Sequence, residues 1–385
     1  MENLNSVCFV AEVTEIKKIV GADNIEQAVV GGWNCIVKKG VHKVGQTVVC
    51  ATTDAVIPFE LSERLGVTNY LRNGGRVRTV KLRGVYSECL IIDFDNLPQM
   101  KEQFADGIGY YWDNGEDVME LLGIFKYEPP VKQIQLASGR KIRYQDNPNF
   151  HVYYKFPNLK NVPGLFTEED TVEITRKIHG TNARYGIVKK NKLSFFDKVK
   201  KFLRLADKWI DYEFVVGSHN VEKGSDSQGF YDTNVWYEIE KKYNIKNKLW
   251  DYVKDEVYGV EIGDGITLYG EIYGAGIQKG YDYGLKEIEF VGFDAKENGE
   301  YLSTINSKLL FRDILKLPYV EELYYGNWSQ EVQDKFVFNN FIEGTKVPHE
   351  GIVIKHQSGE RQKIAKVINP DYLIYGEKHD IGDSH

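Results

Sequence analysis

The first quarter of the chain consists of short runs of strand-forming residues, separated by turns that contain glycine. Turn signals such as Gly21-Ala22-Asp23-Asn24 and Gly31-Gly32 divide one run from the next. Short runs of this composition, bounded by glycine turns, predict β-strands. The predicted strands are 6–16, 25–30, 34–37, 47–50, 76–82 and 88–92. Because many short strands in so short a segment favour a small barrel, we predict an all-β barrel of the oligonucleotide-binding (OB) type over residues 1–95.

From residue 151 onwards the pattern is mixed, because strand-like segments alternate with segments of helical period. Strands are predicted at 171–177, 183–188, 213–216, 266–273, 289–293 and 351–356, and helices at 231–242, 247–253, 307–316 and 330–341. Between the two regions, a short helical pattern at 113–124 precedes breakers at Pro129-Pro130 and a turn cluster at 146–149. We therefore predict an α+β chain with a barrel at 1–95, a linker at 96–150 and a second domain at 151–385.

The composition is that of a globular protein large enough for two domains, since 42% of its 385 residues are hydrophobic and 27% are charged. No apolar run approaches the roughly 20 residues that span a bilayer, and the first ten residues lack the pattern of a secretion signal. We expect a cytoplasmic protein with no membrane partner. The formal net charge of −7 excludes a general attraction to nucleic acid, although a local basic patch can still bind it.

Four cysteines, all within the first 90 residues, show no Cys-x-x-Cys spacing, and nearby histidines do not complete a zinc pattern. Each lies in an apolar or β-branched run, so we predict buried free thiols, in keeping with a reducing compartment. The four are Cys8, Cys35, Cys50 and Cys89.

The strongest local signal is the segment 177–182, which reads Lys-Ile-His-Gly-Thr-Asn. Lys177 ends a predicted strand, and the glycine-containing turn that follows can present its amine to a phosphate from a rigid platform. A Lys-x-x-Gly pattern alone occurs often by chance, and an exposed lysine before a turn is its ordinary interpretation. The sequence downstream of Lys177 favours a functional interpretation of this lysine instead.

Four more motifs follow Lys177 in a fixed order, each a strand that carries a carboxylate, an aromatic residue or lysines. They are Leu-Tyr-Gly-Glu-Ile-Tyr-Gly at 268–274, Phe-Val-Gly-Phe-Asp at 290–294, Glu-Gly-Ile-Val-Ile-Lys at 350–355 and Lys-Ile-Ala-Lys-Val-Ile-Asn at 363–369. Together the five resemble the covalent nucleotidyltransferase superfamily of polynucleotide ligases and mRNA capping enzymes, over residues 150–375. The first motif is most similar to phage-type nick-sealing RNA ligases, one subfamily of which carries an OB barrel in front.

The barrel region has a resemblance of its own. Residues 13–16 and 21–25, followed by Lys-Leu-Arg-Gly-Val-Tyr-Ser-Glu at 81–88, look like the tRNA-binding-arm barrels of phenylalanyl-tRNA synthetase β subunits. This similarity supports the OB-type fold, but it does not identify a ligand, because the fold binds many kinds of molecule.

The ligase resemblance implies an antiparallel-sheet nucleotidyltransferase domain and an ATP-dependent RNA ligase that joins a 3′-hydroxyl to a 5′-phosphate at ends or nicks. Lys177 would attack the α-phosphate of ATP, forming lysyl-AMP and releasing pyrophosphate. AMP would then pass to the 5′-phosphate, from which the 3′-hydroxyl displaces it. Because a lysine in water has a pKa of about 10.4, a nearby Mg²⁺ or Mn²⁺ would be needed to lower it.

The resemblance also assigns roles around the nucleotide. Glu350 would organise the metal, Glu271 would contact the AMP ribose or assist the metal, and Phe293 would stack on adenine. Lysines near the end of the chain would offset charge on the transferring phosphoryl group. The further residues assigned to the nucleotide are Ile178, Asn182, Lys355, Lys363 and Lys366.

Two departures from the family pattern leave alternatives open. The last motif usually reads Lys-x-Lys, whereas here Lys363 and Lys366 are three apart, which places them on opposite faces of a regular strand. Lys366 is the stronger candidate, and Lys363 is equally well interpreted as a surface residue. Where the family has an arginine after the nucleophile segment, this chain has Ser-His-Asn at 218–220. His219, Arg184 or another residue could take its place.

Basic residues cluster in two places that RNA could contact. In the barrel they surround a glycine turn, where a solvated strand face is as good an interpretation as a grip on RNA phosphates. The segment 195–211 predicts a basic helical insertion with one apolar face that can pack and one basic face that can meet RNA. The apolar face contains Val199, Phe202, Leu203, Ala206 and Trp209, and the basic residues are Lys198, Lys200, Lys201, Arg204 and Lys208. The residues assigned to RNA are Arg72, Arg76, Arg78, Lys81, Arg83 and His219. The expected partner is RNA, as tRNA or a nicked duplex, and a monomer is expected.

Two alternative functions remain. A GTP-dependent capping enzyme or a DNA ligase belongs to the same superfamily, but those enzymes carry the barrel behind the catalytic domain. A non-catalytic tRNA- or RNA-binding protein would use the barrel alone, and it leaves the ordered lysines and carboxylates of residues 150–375 unexplained.

Overall fold

The structure is a computed structural model that describes residues 6–72, 74–101, 112–127, 147–203, 205, 209–219, 222–223, 234–255 and 263–379. Its larger sheets are all antiparallel, and helices cover two of them, so the predicted α+β class is confirmed. The breakers at 129–130, the predicted helix start at 231–233, and Asn73, Arg204 and Lys208 lie outside the described residues. The predicted limits of barrel, linker and second domain stay predictions.

The N-terminal barrel is a five-stranded sheet in the order β3-β2-β1-β4-β8. A bulge between Val13 and Glu15 lets β1 pair with β4 through its first half and with β2 through its second half. The bent sheet contributes to two apolar clusters, which form the core of the barrel. The elements are β1 Cys8–Lys18, β2 Ile25–Val30, β3 Trp33–Lys38, β4 Thr47–Thr52, β5 Ala55–Val56, α1 Phe59–Arg64, β6 Val80–Leu82, β7 Val85–Ser87, β8 Cys89–Ile92, α2 Pro98–Lys101, α3 Met119–Leu122 and β9 Phe125–Lys126.

All four cysteines are buried free thiols in the barrel, as predicted. Burial raises the pKa of Cys8 to about 12, with a smaller contribution from Asp117. Among the described residues there is no group of three or more His, Cys, Asp or Glu side chains that could hold a metal. In the same part of the chain no helix is long and apolar enough to cross a membrane.

The second domain contains two antiparallel sheets with the strand orders β16-β10-β17-β18 and β12-β11-β13-β14-β15. One face of each sheet packs against helices, and the side chains between sheet and helices form a separate apolar cluster for each sheet. The elements are β10 Thr171–Lys177, β11 Thr181–Lys189, α4 Phe195–Phe202, β12 Tyr212–Gly217, α5 Val235–Tyr243, α6 Ile245–Lys254, β13 Gly265–Gly274, β14 Ile288–Glu297, β15 Glu300–Tyr301, α7 Thr304–Leu309, β16 Glu322–Asn327, α8 Gln330–Val337, β17 Gly351–His356, β18 Ile364–Ile368 and α9 Pro370–His379.

The chain passes from the first of these sheets to the second in the three residues between β10 and β11. Side chains from the two sheets meet on the faces turned away from the helices, where Lys355 Nζ of β17 donates to the Phe293 carbonyl oxygen of β14 at 2.7 Å. The short crossover lies beside this polar region between the two facing sheets, which we call the cleft.

At two of the places where the barrel packs against the second domain, charged side chains pair. At one, Lys160 forms an ion pair with the buried Glu88, and Trp33 Nε1 donates to Asn161 Oδ1 at 3.1 Å. At the other, Lys81 Nζ lies 3.3 Å from Asp371 Oδ1 at the start of α9. The barrel thus contacts both the segment that precedes β10 and the last helix.

Candidate active site

Lys177 is the last residue of β10, and the strand register places it opposite Gly351 at the start of β17. This register brings its Nζ into an ion pair with Oε1 of Glu350. The Lys177 side chain is 20% exposed, whereas that of Glu350 is 4% exposed. A partly open amine is therefore held by a buried carboxylate.

Strand alternation sets which lysines face the cleft. In the registers of β10, β17 and β18, Thr175 lies opposite Val353, which lies opposite Lys366. Residues two apart share a face, so Lys177, Lys355 and Lys366 lie on the same side of the sheet. Lys363 precedes β18 in a short turn, and its Nζ binds Asp170 Oδ1 at 2.5 Å. The structure therefore brings Lys366 to the nucleophile's face and gives Lys363 a partner elsewhere.

Glu271 approaches Lys177 from the other sheet, where it lies opposite Asn182 in the β11–β13 pair. Burial raises the pKa of Glu271 to about 8, while Lys177 acts to lower it and Glu350 to raise it. The two carboxyl groups and the amine thus interact electrostatically across the cleft. An added cation would favour ionisation of Glu271.

Gly180 shows why the nucleophile motif contains a glycine. A Cβ at this position would lie 2.2 Å from the Ile272 carbonyl oxygen and 2.9 Å from Glu271 Cγ. Any larger residue would push the crossover away from β13. The glycine therefore permits the close approach of the crossover to β13.

His179 is buried in the crossover between aromatic rings, with its ring centroid 5.2 Å from that of Tyr281 and 5.3 Å from that of Tyr372. Its backbone N–H donates to Tyr283 Oη at 2.6 Å. These contacts fix the turn between Lys177 and β11. Ile178 packs at the edge of the adjoining apolar cluster.

Phe293 is the extra residue of a β-bulge, because Asp294 pairs with Tyr269 while Gly292 pairs with Gly270. The bulge lets the Phe293 ring pack edge-on against Tyr153, with centroids 5.0 Å apart. The same bulge turns the Phe293 carbonyl oxygen to Lys355 Nζ.

Sequence reasoning missed the buried network behind Lys355. Asp294 accepts from Arg361 Nη1 at 2.5 Å and from Tyr153 Oη at 2.9 Å, and Lys355 Nζ lies 3.4 Å away. Burial alone would raise the pKa of Asp294, but Lys355 and Arg361 bring it below its ordinary value. Asp294 lies in a recognised motif, but no local pattern marks Tyr153 or Arg361.

Arg184 and His219, the two candidates for the missing arginine, lie near one another. Arg184 is 2% exposed. Its Nε donates to the Ser218 carbonyl oxygen at 2.7 Å, and its Nη1 to the Phe150 carbonyl oxygen at 2.9 Å. It therefore ties β11 to the segment that carries His219, which is partly buried. The assignment of His219 to RNA stays a prediction.

The basic run of the barrel is largely engaged within the molecule. Arg76 pairs with Asp54, and its guanidinium lies 4.1 Å from the Tyr127 ring centroid. Lys81 contacts Asp371, and Arg83 Nη1 donates to the Gly21 carbonyl oxygen at 2.6 Å. Burial raises the pKa of Glu377 in α9, and the three basic residues that act to lower it are Arg72, Arg78 and Arg76. The RNA role of this run also stays a prediction.

The donor set suits a nucleotide with a hard divalent cation. Glu350 Oε2 and Asn182 Oδ1 are buried and make no hydrogen bond in the structure. These oxygens can accept from nucleotide hydroxyl groups or bind a cation. Because Mg²⁺ is commonly held by one or two carboxylates together with substrate phosphates, Glu350 and Glu271 are the residues that could hold such a cation.

Two facing antiparallel sheets, with a strand-end lysine held by a buried glutamate, define a nucleotidyltransferase domain of the ligase class. The RNA ligase family profile matches residues 170–368, and an OB-fold domain profile matches residues 7–94. The chain belongs to the RNA ligase family, as the sequence motifs predicted.

Solved structures agree with this assignment over nearly the whole chain. A Naegleria gruberi RNA ligase with pyrophosphate aligns at a TM-score of 0.69 and 23% identity, covering 98% of this chain and 99% of that one. A mutant of the same enzyme with ATP and Mn aligns at 0.69 and 23% identity, covering 97% and 99%. Another mutant, with AMP and Mn, aligns at 0.69 and 22% identity, covering 98% and 99%. These matches show that the two proteins share the fold. No curated protein sequence matches the chain.

Proposed function

We propose that this chain is an ATP-dependent RNA ligase that uses Lys177 as its nucleophile and joins a 3′-hydroxyl to a 5′-phosphate in RNA. The observation that carries the proposal is the ion pair between Lys177 and the buried Glu350, which holds a lysine amine at the open side of the cleft. The Naegleria gruberi enzyme of the same fold has been solved with ATP, AMP and pyrophosphate. These are the nucleotide and the two parts into which adenylyl transfer divides it.

In the first step Lys177 Nζ attacks the α-phosphorus of ATP. A phosphorus–nitrogen bond forms, the bond from phosphorus to the pyrophosphate oxygen breaks, and the amine loses a proton. Glu350 Oε1 fixes the direction of the attacking nitrogen, which is the positioning that a strand-end nucleophile requires. A divalent cation held by Glu350 and Glu271 would supply positive charge that lowers the pKa of the amine and offsets charge on the phosphates.

The remaining residues of the cleft bind the nucleotide. Lys355 and Lys366 share the face of Lys177, so their charges can stabilise the phosphates as negative charge shifts to the leaving group. The Phe293 bulge offers an aromatic ring to adenine. Glu271 and Asn182, paired across two strands, offer oxygens to the ribose hydroxyls.

Two later steps complete the reaction. The 5′-phosphate oxygen of RNA attacks the phosphorus of lysyl-AMP and frees Lys177. The 3′-hydroxyl then attacks the activated 5′-phosphate and expels AMP. We propose a nicked duplex or tRNA as the substrate and a monomer as the active form, with the front barrel contributing to RNA binding as OB folds commonly do.

The test is transfer of label from α-³²P-ATP to the purified chain with Mg²⁺ or Mn²⁺, followed by denaturation. Label is expected on the wild type and on the surface variant Lys346→Ala, and none on Lys177→Ala. Labelled wild type should convert nicked RNA into sealed product when RNA is added. No label on folded wild type with either metal would overturn the proposal, and label from GTP instead of ATP would overturn its nucleotide specificity.

A further inference from the structure

The helix α4 exposes large apolar side chains to solvent. Phe195 is 75% exposed, Phe196 76% and Phe202 86%, and the following Leu203 and Leu205 are 55% and 74% exposed. Single exposed apolar residues are common, but a contiguous patch of them marks a site of interaction. The sequence indicated that the apolar face of this segment could pack against the domain. For Val199, Phe202 and Leu203 that expectation is wrong, whereas Trp209 packs against an apolar cluster and Ala206 lies outside the described residues.

The apolar residues form one stripe along the helix. At about 100° per residue, the side chains at 195, 196, 199, 202 and 203 fall within an arc of about 120°. Lys198 and Lys200 border the stripe on its two sides. Asp197 and Lys201 lie on the opposite side of the helix.

That opposite, polar side is the one attached to the protein. Asp197 Oδ2 binds Lys190 Nζ at 3.0 Å, and Lys201 Nζ binds the Asp211 carboxylate at 2.6 Å. Ser194 caps the helix by accepting from the Asp197 N–H at 3.1 Å. The helix is therefore anchored by its charged face with its apolar face turned outward. This is the reverse of an ordinary surface helix.

We propose that α4 docks onto a membrane surface that contains anionic lipid. A helix with Phe and Leu on one face and Lys on the other lies in the plane of the interface, with its apolar face at the boundary between headgroups and acyl chains. Residues 189–203 contain six lysines and one aspartate, a net charge of +5 in a chain of net charge −7. Lys198 and Lys200, at the edges of the stripe, would meet the headgroups when the phenylalanines enter.

The side chains favour lipid over RNA or a second copy of the chain. Sites for single-stranded RNA combine a basic groove with aromatic rings, whereas this surface is a projecting helix that also carries Val199 and Leu203. Two copies would bring the same lysines together and repel. The expectation of no membrane partner rested on the lack of a spanning segment, which does not bear on docking at a surface.

The position of α4 is compatible with the ligase site. β11 runs eight residue steps from Thr181, beside the crossover, to Lys189, which is about 27 Å at about 3.4 Å per residue. The helix follows the far end of that strand. A docked enzyme would keep Lys177 away from the lipid surface.

The experiment is co-sedimentation of the full chain with vesicles of phosphatidylcholine alone or mixed with phosphatidylglycerol, without nucleotide. We expect binding to the mixed vesicles that weakens with added salt. The double variant Phe195→Ser with Phe202→Ser should reduce binding at least tenfold, and Lys198→Glu with Lys200→Glu about 20-fold or more. The matched controls Phe59→Ser with Phe125→Ser and Lys38→Glu with Lys39→Glu change similarly exposed residues elsewhere and should bind as the wild type does.

Each variant should keep the wild-type unfolding temperature, because the changed side chains are exposed. Failure of wild type to bind the mixed vesicles would overturn the proposal. So would equal binding by the phenylalanine double variant, or loss of RNA affinity in that variant without any loss of lipid binding. A wild-type dimer that the same double variant dissociates would show that a second copy covers the stripe instead. Since the assay requires no ATP, its outcome is independent of the ligase proposal.

Discussion

Lys177 Nζ and Glu350 Oε1 form an ion pair although 173 residues separate them in the chain. The pairing of β10 with β17 produces this contact, because the register sets Lys177 beside the first residue of β17 and Glu350 immediately precedes that strand. The nucleophile motif and the Glu-Gly-Ile-Val-Ile-Lys motif are thus two halves of one site.

Removal of the negative charge of Glu350 should therefore disable lysine adenylylation. Glu350→Gln keeps the size of the side chain but loses the charged partner of Lys177 and the oxygen that can bind a cation. We expect the initial rate of label transfer from α-³²P-ATP to fall about 100-fold or more. Glu321→Gln, which changes an exposed carboxylate paired with Arg176, is the matched control. A rate within a few-fold of wild type would refute the role of Glu350.

Replacement of Lys363 and of Lys366 by alanine should have different effects on catalysis and stability. Lys366 lies on the face of Lys177, so Lys366→Ala should slow adenylylation about tenfold or more with little change in stability. Lys363 pairs with Asp170 while 36% exposed, so Lys363→Ala should cost at most about 1 kcal/mol of unfolding free energy and keep the wild-type rate. Rapid-quench labelling and urea denaturation measure the two effects. A catalytic defect confined to Lys363→Ala would reverse the assignment.

The ion pair between Lys363 and Asp170 makes the unfolding free energy depend on pH. The hydrogen bond from Lys363, followed by that from the Thr167 N–H, lowers the pKa of Asp170 to about 2 from an ordinary 3.8. A carboxyl whose pKa is lower in the folded state stabilises the protein above pH 3.8, and that stability is lost as the pH falls towards 2. The difference in unfolding free energy between wild type and Lys363→Ala should be constant near neutrality and shrink below about pH 4. A difference that grows on acidification would contradict this assignment.

The predicted strands and the order of the motifs agree with the structure, because strand-forming runs and glycine turns determine the local conformation of the chain. Each predicted strand overlaps an observed one, and 25–30, 171–177 and 351–356 match the observed bounds. The strands β15 and β16 and the helices α1 and α9 were among the elements that were not predicted. The expected helix at 113–124 forms only over Met119–Leu122. Periodicity carries little information for such short segments, whose structure depends on tertiary contacts.

Long-range contacts could not be predicted from local sequence patterns. Arg361 gave no signal in the sequence, since its role comes from the fold that brings it to Asp294, 67 residues away. The predicted face for Val199 and Phe202 was the correct helical face, but the pattern could not tell which side of the helix meets the domain. That choice depends on Lys190 and Asp211, which pair with the polar side.

Gly180 should not tolerate a methyl group. Gly180→Ala would place Cβ 2.2 Å from the Ile272 carbonyl oxygen, so the crossover must shift by more than a few tenths of an ångström. We expect loss of detectable adenylylation and a lower unfolding temperature. Gly263→Ala is the matched control, because among the described residues its Cβ would come near Asn298 Oδ1 alone, at 3.8 Å. Wild-type labelling by Gly180→Ala would show that the close approach to β13 is dispensable.

Phe293 should contribute to nucleotide affinity through its ring. Stacking of a base on an aromatic side chain is worth about 1–3 kcal/mol, so Phe293→Leu should raise the KM for ATP about tenfold or more while kcat changes less. Phe293→Tyr keeps the ring and should retain a KM near the wild-type value. Because the ring also packs against Tyr153, thermal unfolding of both variants separates loss of affinity from loss of structure. If both variants raise KM equally, the position requires an exact fit to its neighbours, and adenine stacking is not its role. If Phe293→Leu lowers kcat and leaves KM unchanged, the ring acts instead by holding the bulge that positions Lys355.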